Sequence, residues 1–93
     1  GESPLVVLSH IARQTRVLIQ AKEHPDMSSD ALAQIIGVHP FVAKKASQQA
    51  GRFSRGELLG AMDALLDADT AIKTGRMDEN AALDVLIAAL CGG

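Results

Sequence analysis

Tyrosine and tryptophan are absent from these 93 residues, and Phe41 and Phe53 are the only aromatics. A core without large rings must be aliphatic and alanine-rich, which suits close helix packing better than a pleated sheet. Apolar residues make up 47% of the chain, enough to fold. Cys91 is the only cysteine. No internal disulfide can form, a cytoplasmic location is natural, and the lone thiol near the end reads as a bystander. No apolar run approaches ~20 residues, so no transmembrane helix is expected. The N-terminus lacks the charged start and long apolar stretch of a signal peptide. Gly1 reads as a remnant of excision, which would make the chain a piece of a longer protein.

Catalytic motifs are missing as well. There is no glycine-rich loop ending in Lys-Ser or Lys-Thr to cradle phosphates. His10, His24 and His39 are too scattered for a local metal motif, and one cysteine cannot complete a cysteine site. No serine sits in a nucleophile-elbow pattern, and a small helical bundle offers poor oxyanion geometry. A chain this short forms one domain, residues 1–93, with room for one core but not for a deep catalytic cavity too. The expectation is a non-catalytic domain with no cofactor and no metal.

The net charge of −2 gives no overall push toward nucleic acid or membrane. Its distribution is uneven. No acidic residue lies between Asp30 and Glu57, where Lys44, Lys45, Arg52 and Arg55 fall. From Glu57 onward, Asp63, Asp67, Asp69, Asp78, Glu79 and Asp84 face only Lys73 and Arg76. Opposed patches of this kind suit head-to-tail assembly; they equally suit two solvated helix faces.

What the chain has in quantity is helix punctuation. Ser3 caps a first helix with Pro4 at its first position, and Leu5, Leu8, Ala12, Thr15 and Ile19, widened by Val6, Ile11 and Leu18, give it one buried face. His24-Pro25-Asp26 ends it. Ser28 caps a second helix, stapled by Met27 and Leu32 and closed by Gly37 in the left-handed conformation. A third begins at His39-Pro40, carries Phe41, Val42, Ala43, Ala46 and Ala50, and closes at Gly51. The fourth opens with a Ser54/Glu57 capping box and a Phe53/Leu58 staple, runs through Leu58, Met62, Leu65, Asp69 and Ile72, and ends at Gly75. Asp78 caps the fifth, where Ala82, Val85, Leu86, Ala89 and Leu90, broadened by Leu83 and Ile87, leave little polar surface. That last helix is expected to be central, or covered by another protein. Short links predict that successive helices pack as neighbours. The fold class is all-α, a compact bundle of five helices.

Asp69 stands on an apolar stripe, where it either pairs with Lys73 one turn on or ties to another helix as a buried carboxylate. Lys44 and Lys45 could meet phosphates or simply be solvated. Residues 28–46 superficially match a helix-turn-helix through Ala33, Gly37 and Val38. The match degrades where the recognition helix would lead with His39, Pro40, Phe41 and Val42 rather than polar residues. A DNA-binding domain is therefore the second reading, and a generic helical adaptor the third.

Three stretches carry a family resemblance. They are Ala12-Arg13-Gln14-Thr15-Arg16-Val17-Leu18-Ile19, then Ile36-Gly37-Val38-His39-Pro40-Phe41-Val42-Ala43-Lys44-Lys45 with Ala50, Phe53 and Glu57-Leu58-Leu59, and Ala68-Asp69-Thr70-Ala71-Ile72-Lys73-Thr74-Gly75-Arg76. Together they resemble the C-terminal collar domain of the DNA polymerase III delta subunit of bacterial clamp loaders, across nearly the whole chain. Ala46 and Ser47 depart from it, standing where larger aliphatics are common. The resemblance implies an oligomerisation domain that packs into a ring, the collar, with the tau/gamma and delta-prime subunits. The sliding clamp and DNA would be met only through the whole complex. Arg13, Arg16, Arg52 and Arg55 are the candidate interface residues, and Asp69 with Lys73 the candidate structural tie. The stripes of the first, fourth and fifth helices are expected to build the core.

Overall fold

The structure, a computed structural model, describes residues 3–91, with side chains through Leu90. Gly1 and the side chain of Cys91 lie outside the described residues. Among those described there are five helices and no strand: α1 (Pro4–Glu23), α2 (Ser29–Ile36), α3 (Pro40–Ala50), α4 (Arg55–Lys73) and α5 (Glu79–Cys91).

Local chemistry sets the boundaries. The hydroxyl of Ser3 accepts from the Val6 N–H, and that of Ser28 from the Ala31 N–H. The capping box closes in both directions: Ser54 Oγ accepts from the Glu57 N–H at 3.0 Å, and Glu57 Oε1 accepts from the Ser54 N–H at 2.8 Å. The Asp78 carboxylate accepts from the Ala81 N–H at 2.8 Å. Each bond satisfies a donor that the helix itself leaves orphaned. Gly37 takes φ +82°, and the Val38 N–H then reaches back to the Ala33 carbonyl, so α2 stops in one residue. Gly51 stays at φ −64°, and α3 ends through ordinary turns instead.

α1 is the axle. It packs against all four other helices, whereas α2 pairs closely with α3, and α4 with α5. The molecule is accordingly elongated, 42 × 26 × 21 Å. The buried residues fall into two clusters, one at each end of the axle. The first gathers Val17, Leu18 and Ala21 of α1 around Leu32 and Ala33, the Ala43, Ala46 and Ala50 face of α3, and Leu58. The second gathers Leu8 with Leu65, Ala68, Ala82 and Leu86. Three alanines on α3 that are at most 2% exposed let its backbone lie close to its neighbours.

Several expectations change here. α5 is peripheral, not central, because α1 occupies the axis. Ala82 and Leu86 of α5 are buried, but Val85 is 54% exposed and Ile87 45%. The core is not built by α1, α4 and α5 alone, since α2 and α3 supply much of the first cluster. α3 and α4 are successive yet do not pack side by side; each lies on α1 instead. Val6 leaves the predicted stripe for the surface, as do Phe41 and Val42 on α3, while Val17 and Ala21 are buried. The C-terminal half of α1 is covered from two sides, so a single stripe underestimates what it buries. Phe53 remains 41% exposed over the start of α4.

Polar ties hold α3 to the axle. Lys22 Nζ donates to the Ala50 carbonyl at 3.3 Å, reaching one of the terminal acceptors of α3, and the Gln14 side-chain amide donates to Gln49. The buried Thr15 hydroxyl is satisfied within α1 by the Ile11 carbonyl at 2.8 Å.

A shared axle makes the two clusters one cooperative unit. Leu32→Ala in the first and Leu86→Ala in the second should each cost about 2–5 kcal/mol. Both should shift a single urea transition followed by circular dichroism at 222 nm. Two separated transitions in either variant would show that the clusters unfold independently.

Candidate interaction surfaces

Two surfaces stand out, one on each side of the axle. The first is the outer side of the α4–α5 pair. From Ala81 to Leu90 the one charged residue is Asp84. Leu86 points inward, but Val85, Ile87, Ala88, Ala89 and Leu90 all meet solvent. Beside them runs a groove of about 360 Å³ between α4 and α5, floored by alanines such as Ala64, Ala68 and Ala71. Asp67 stands on its α4 edge and Arg76 with Met77 at the connecting turn. A floor of small side chains lets another backbone approach closely, and Asp63, one turn before Asp67, adds negative charge to the same edge.

The second surface follows α1 where the α2–α3 pair leaves it bare. Two open hollows of about 670 and 700 Å³ share Arg13, Val17 and Val38, and so form one continuous groove. Arg16, Ile19 and Glu23 extend it toward the C-terminal end of α1. His10, His39 and Val42 extend it toward the open N-terminal half. The lining is mixed: Val38, Val42 and Ile19 alternate with Gln14, Gln20, Glu23 and the exposed side chains of Arg13 and Arg16.

The four candidate arginines do not form one patch. Arg13 and Arg16 line this groove together. Arg55 borders a small niche with Lys22 and Leu58 that adjoins the groove's far end at Ile19 and Glu23, and Arg52 is exposed in the link before α4. Spacing could have separated them, because positions 13 and 16 are one turn apart on a single helix whereas 52 precedes the Ser54 cap. Sequence reasoning missed Val38 and Val42 as groove walls and Lys22 as the cap of α3; a Gly-Val-His-Pro turn after a short helix was the available signal for the first two.

Asp69 pairs with Lys73 at 2.8 Å within α4, its side chain 33% exposed. The carboxylate makes no bond to another helix. The helix-turn-helix comparison is met in outline by α2, the Gly37 turn and α3. However, His39 Nδ1 is engaged in accepting from the Phe41 N–H at 3.0 Å, and Lys45 Nζ lies 5.0 Å from the centre of the Phe41 ring. Both contacts turn leading side chains of α3 onto the protein itself. Among the described residues no group of three or more His, Cys, Asp or Glu could hold a metal ion. Nor, among the described residues, is any helix long and apolar enough to cross a membrane.

The fold and these surfaces define a helical interaction module with two chemically different faces. Its lineage is specific: residues 1–90 match the family model for the DNA polymerase III delta subunit, C-terminal domain, and the chain belongs to that family. It is 31% identical over 92 residues to DNA polymerase III subunit delta of Bacillus subtilis (strain 168), a match covering 97% of this chain. The chain spans about a quarter of that relative, 26% of its length. No solved structure matches it significantly.

The partly exposed Asp69–Lys73 pair should contribute little. Asp69→Asn is expected to lower stability by less than ~0.5 kcal/mol in urea denaturation. A loss above ~2 kcal/mol would mean that the carboxylate is tied into the packing.

Proposed function

We propose that this chain is the collar domain of a clamp-loader delta subunit, a single non-catalytic helical domain excised from a longer cytoplasmic protein. Its task is to assemble with the tau/gamma and delta-prime subunits so that the complex can load the sliding clamp on DNA during replication. The observation that carries this reading is the bare aliphatic surface of α5 on a chain of the delta C-terminal family. A helix apolar on nearly all sides is stable only where something covers it. Here α1 and α4 cover one side, and a neighbouring subunit covers the other.

The domain works by static packing. A ring member needs two different interfaces, each on the order of 800 Å² per partner. The α4–α5 face and the α1 groove are separate surfaces of the right kind. The first is aliphatic with an acidic edge, and the second mixes valines with Arg13 and Arg16. DNA and the clamp would be engaged by the rest of the assembly.

Light scattering of this chain mixed with tau/gamma and delta-prime subunits tests the reading, with a complex of defined stoichiometry expected. The double substitution Val85→Asp/Ile87→Asp, at surface positions, should weaken that complex about tenfold or more while leaving the circular dichroism spectrum unchanged. A well-folded chain that forms no complex would overturn the assignment.

A further inference from the structure

The groove along α1 has a chemistry that specifies its occupant. Arg13 and Arg16 sit one turn apart on its floor, and neither is paired with a carboxylate among the described residues. Beside them lie the half-exposed Val38 and the exposed Val42, over the buried Val17. The groove follows α1 from His10 to Glu23, roughly 20 Å at 1.5 Å per residue, which is the length of a helix of three to four turns. We propose that this groove seats a helix of a neighbouring subunit with an aliphatic face and an acidic edge, held by Arg13 and Arg16 as carboxylate forks.

Each part of the site points to such a partner. Guanidinium groups match carboxylates in paired hydrogen bonds, and they bind most firmly where apolar walls exclude water. The groove itself is open, so the exclusion of water would come from the partner, whose aliphatic side chains would cover Val38 and Val42, as in other helix-in-groove contacts. Nucleic acid fits less well. A phosphate backbone has nothing to offer the valines, and Glu23 at one end of the groove repels it. A second copy of this chain fits less well too. Its acidic α4–α5 edge could enter the groove, but a head-to-tail contact between copies would occupy the two surfaces that, on the assembly reading, meet different neighbouring subunits.

The proposal rests on the assembly reading and is tested in the same reconstituted complex. The dissociation constant for tau/gamma and delta-prime subunits is measured across a salt series for the wild type and three variants. Arg13→Glu/Arg16→Glu should weaken assembly at least tenfold and flatten its salt dependence. Val42→Asp, at an exposed position in the groove lining, should weaken it in the same direction. Arg52→Glu, at a position that lines no part of the groove, should change it less than twofold, and circular dichroism should show all three folded. Assembly within twofold of wild type for both groove variants, with Val85→Asp/Ile87→Asp still disruptive, would overturn the groove assignment and leave the collar reading standing. Failure of the wild type itself to assemble would remove both. Fluorescence anisotropy with labelled duplex DNA supplies the other arm. Loss of DNA binding in Arg13→Glu/Arg16→Glu, with assembly untouched, would make the groove a phosphate site and overturn the proposal. Groove-dependent self-association of the wild type would do the same.

Discussion

Everything in this structure hangs on the packing of four helices around α1. A short chain without tyrosine or tryptophan cannot fill a wide core, because alanine and leucine span less distance than a ring. The arrangement meets that limit by never asking the core to be wide. One helical pair closes onto one end of a single rod and the other runs along it, and each cluster is only as thick as the gap between the axle and the helices on it. Alanines on α3 and α4 set that gap, since a side chain of one carbon lets backbones approach. Thr15 sits buried in the middle of the rod, its hydroxyl satisfied inside the helix, so no polar group there needs a partner from outside.

The two faces follow from the same arrangement. A rod covered by one pair at one end and by another pair along its length leaves a step where the shorter pair stops. That step, beside the Gly37 turn, is the groove that holds Arg13 and Arg16. Pairing α5 mainly with α4 leaves its far side without a protein neighbour. On the proposed reading of this member of the delta C-terminal family, surfaces that would be defects in a monomer become contacts in an assembly.

The helix boundaries were legible in the sequence because they are local. A serine three residues before a glutamate, a proline at a first turn or an aspartate before Glu79 can be read from a few positions, and the bonds observed at Ser54, Glu57 and Asp78 are those that the spacing demands. The identity of the central helix was not legible. α5 has the more uniformly apolar sequence, but centrality is decided by how many helices reach a given rod. That depends on tertiary arrangement, which leaves no periodic mark. Val17 and Ala21 were overlooked for the same reason: they face the α2–α3 side, off the stripe that the N-terminal half of α1 presents. Charge was legible as composition but not as geometry. Arg13 and Arg16 line one groove, Arg55 adjoins its Glu23 end, and Arg52 stands apart. Asp69 was open to two readings because a polar residue on an apolar stripe looks alike whether it is buried or at the stripe's edge; the edge was the answer.

The bare side of α5 also bears on how this chain exists before it meets a partner. Ala81 to Leu90 offers water a single charge, Asp84, and a row of branched aliphatics. Such a patch does not distinguish a cognate subunit from any other greasy surface, and at high concentration it favours clumping. On the proposed assembly reading, a copy without its neighbour would therefore carry a surface prone to colloidal association.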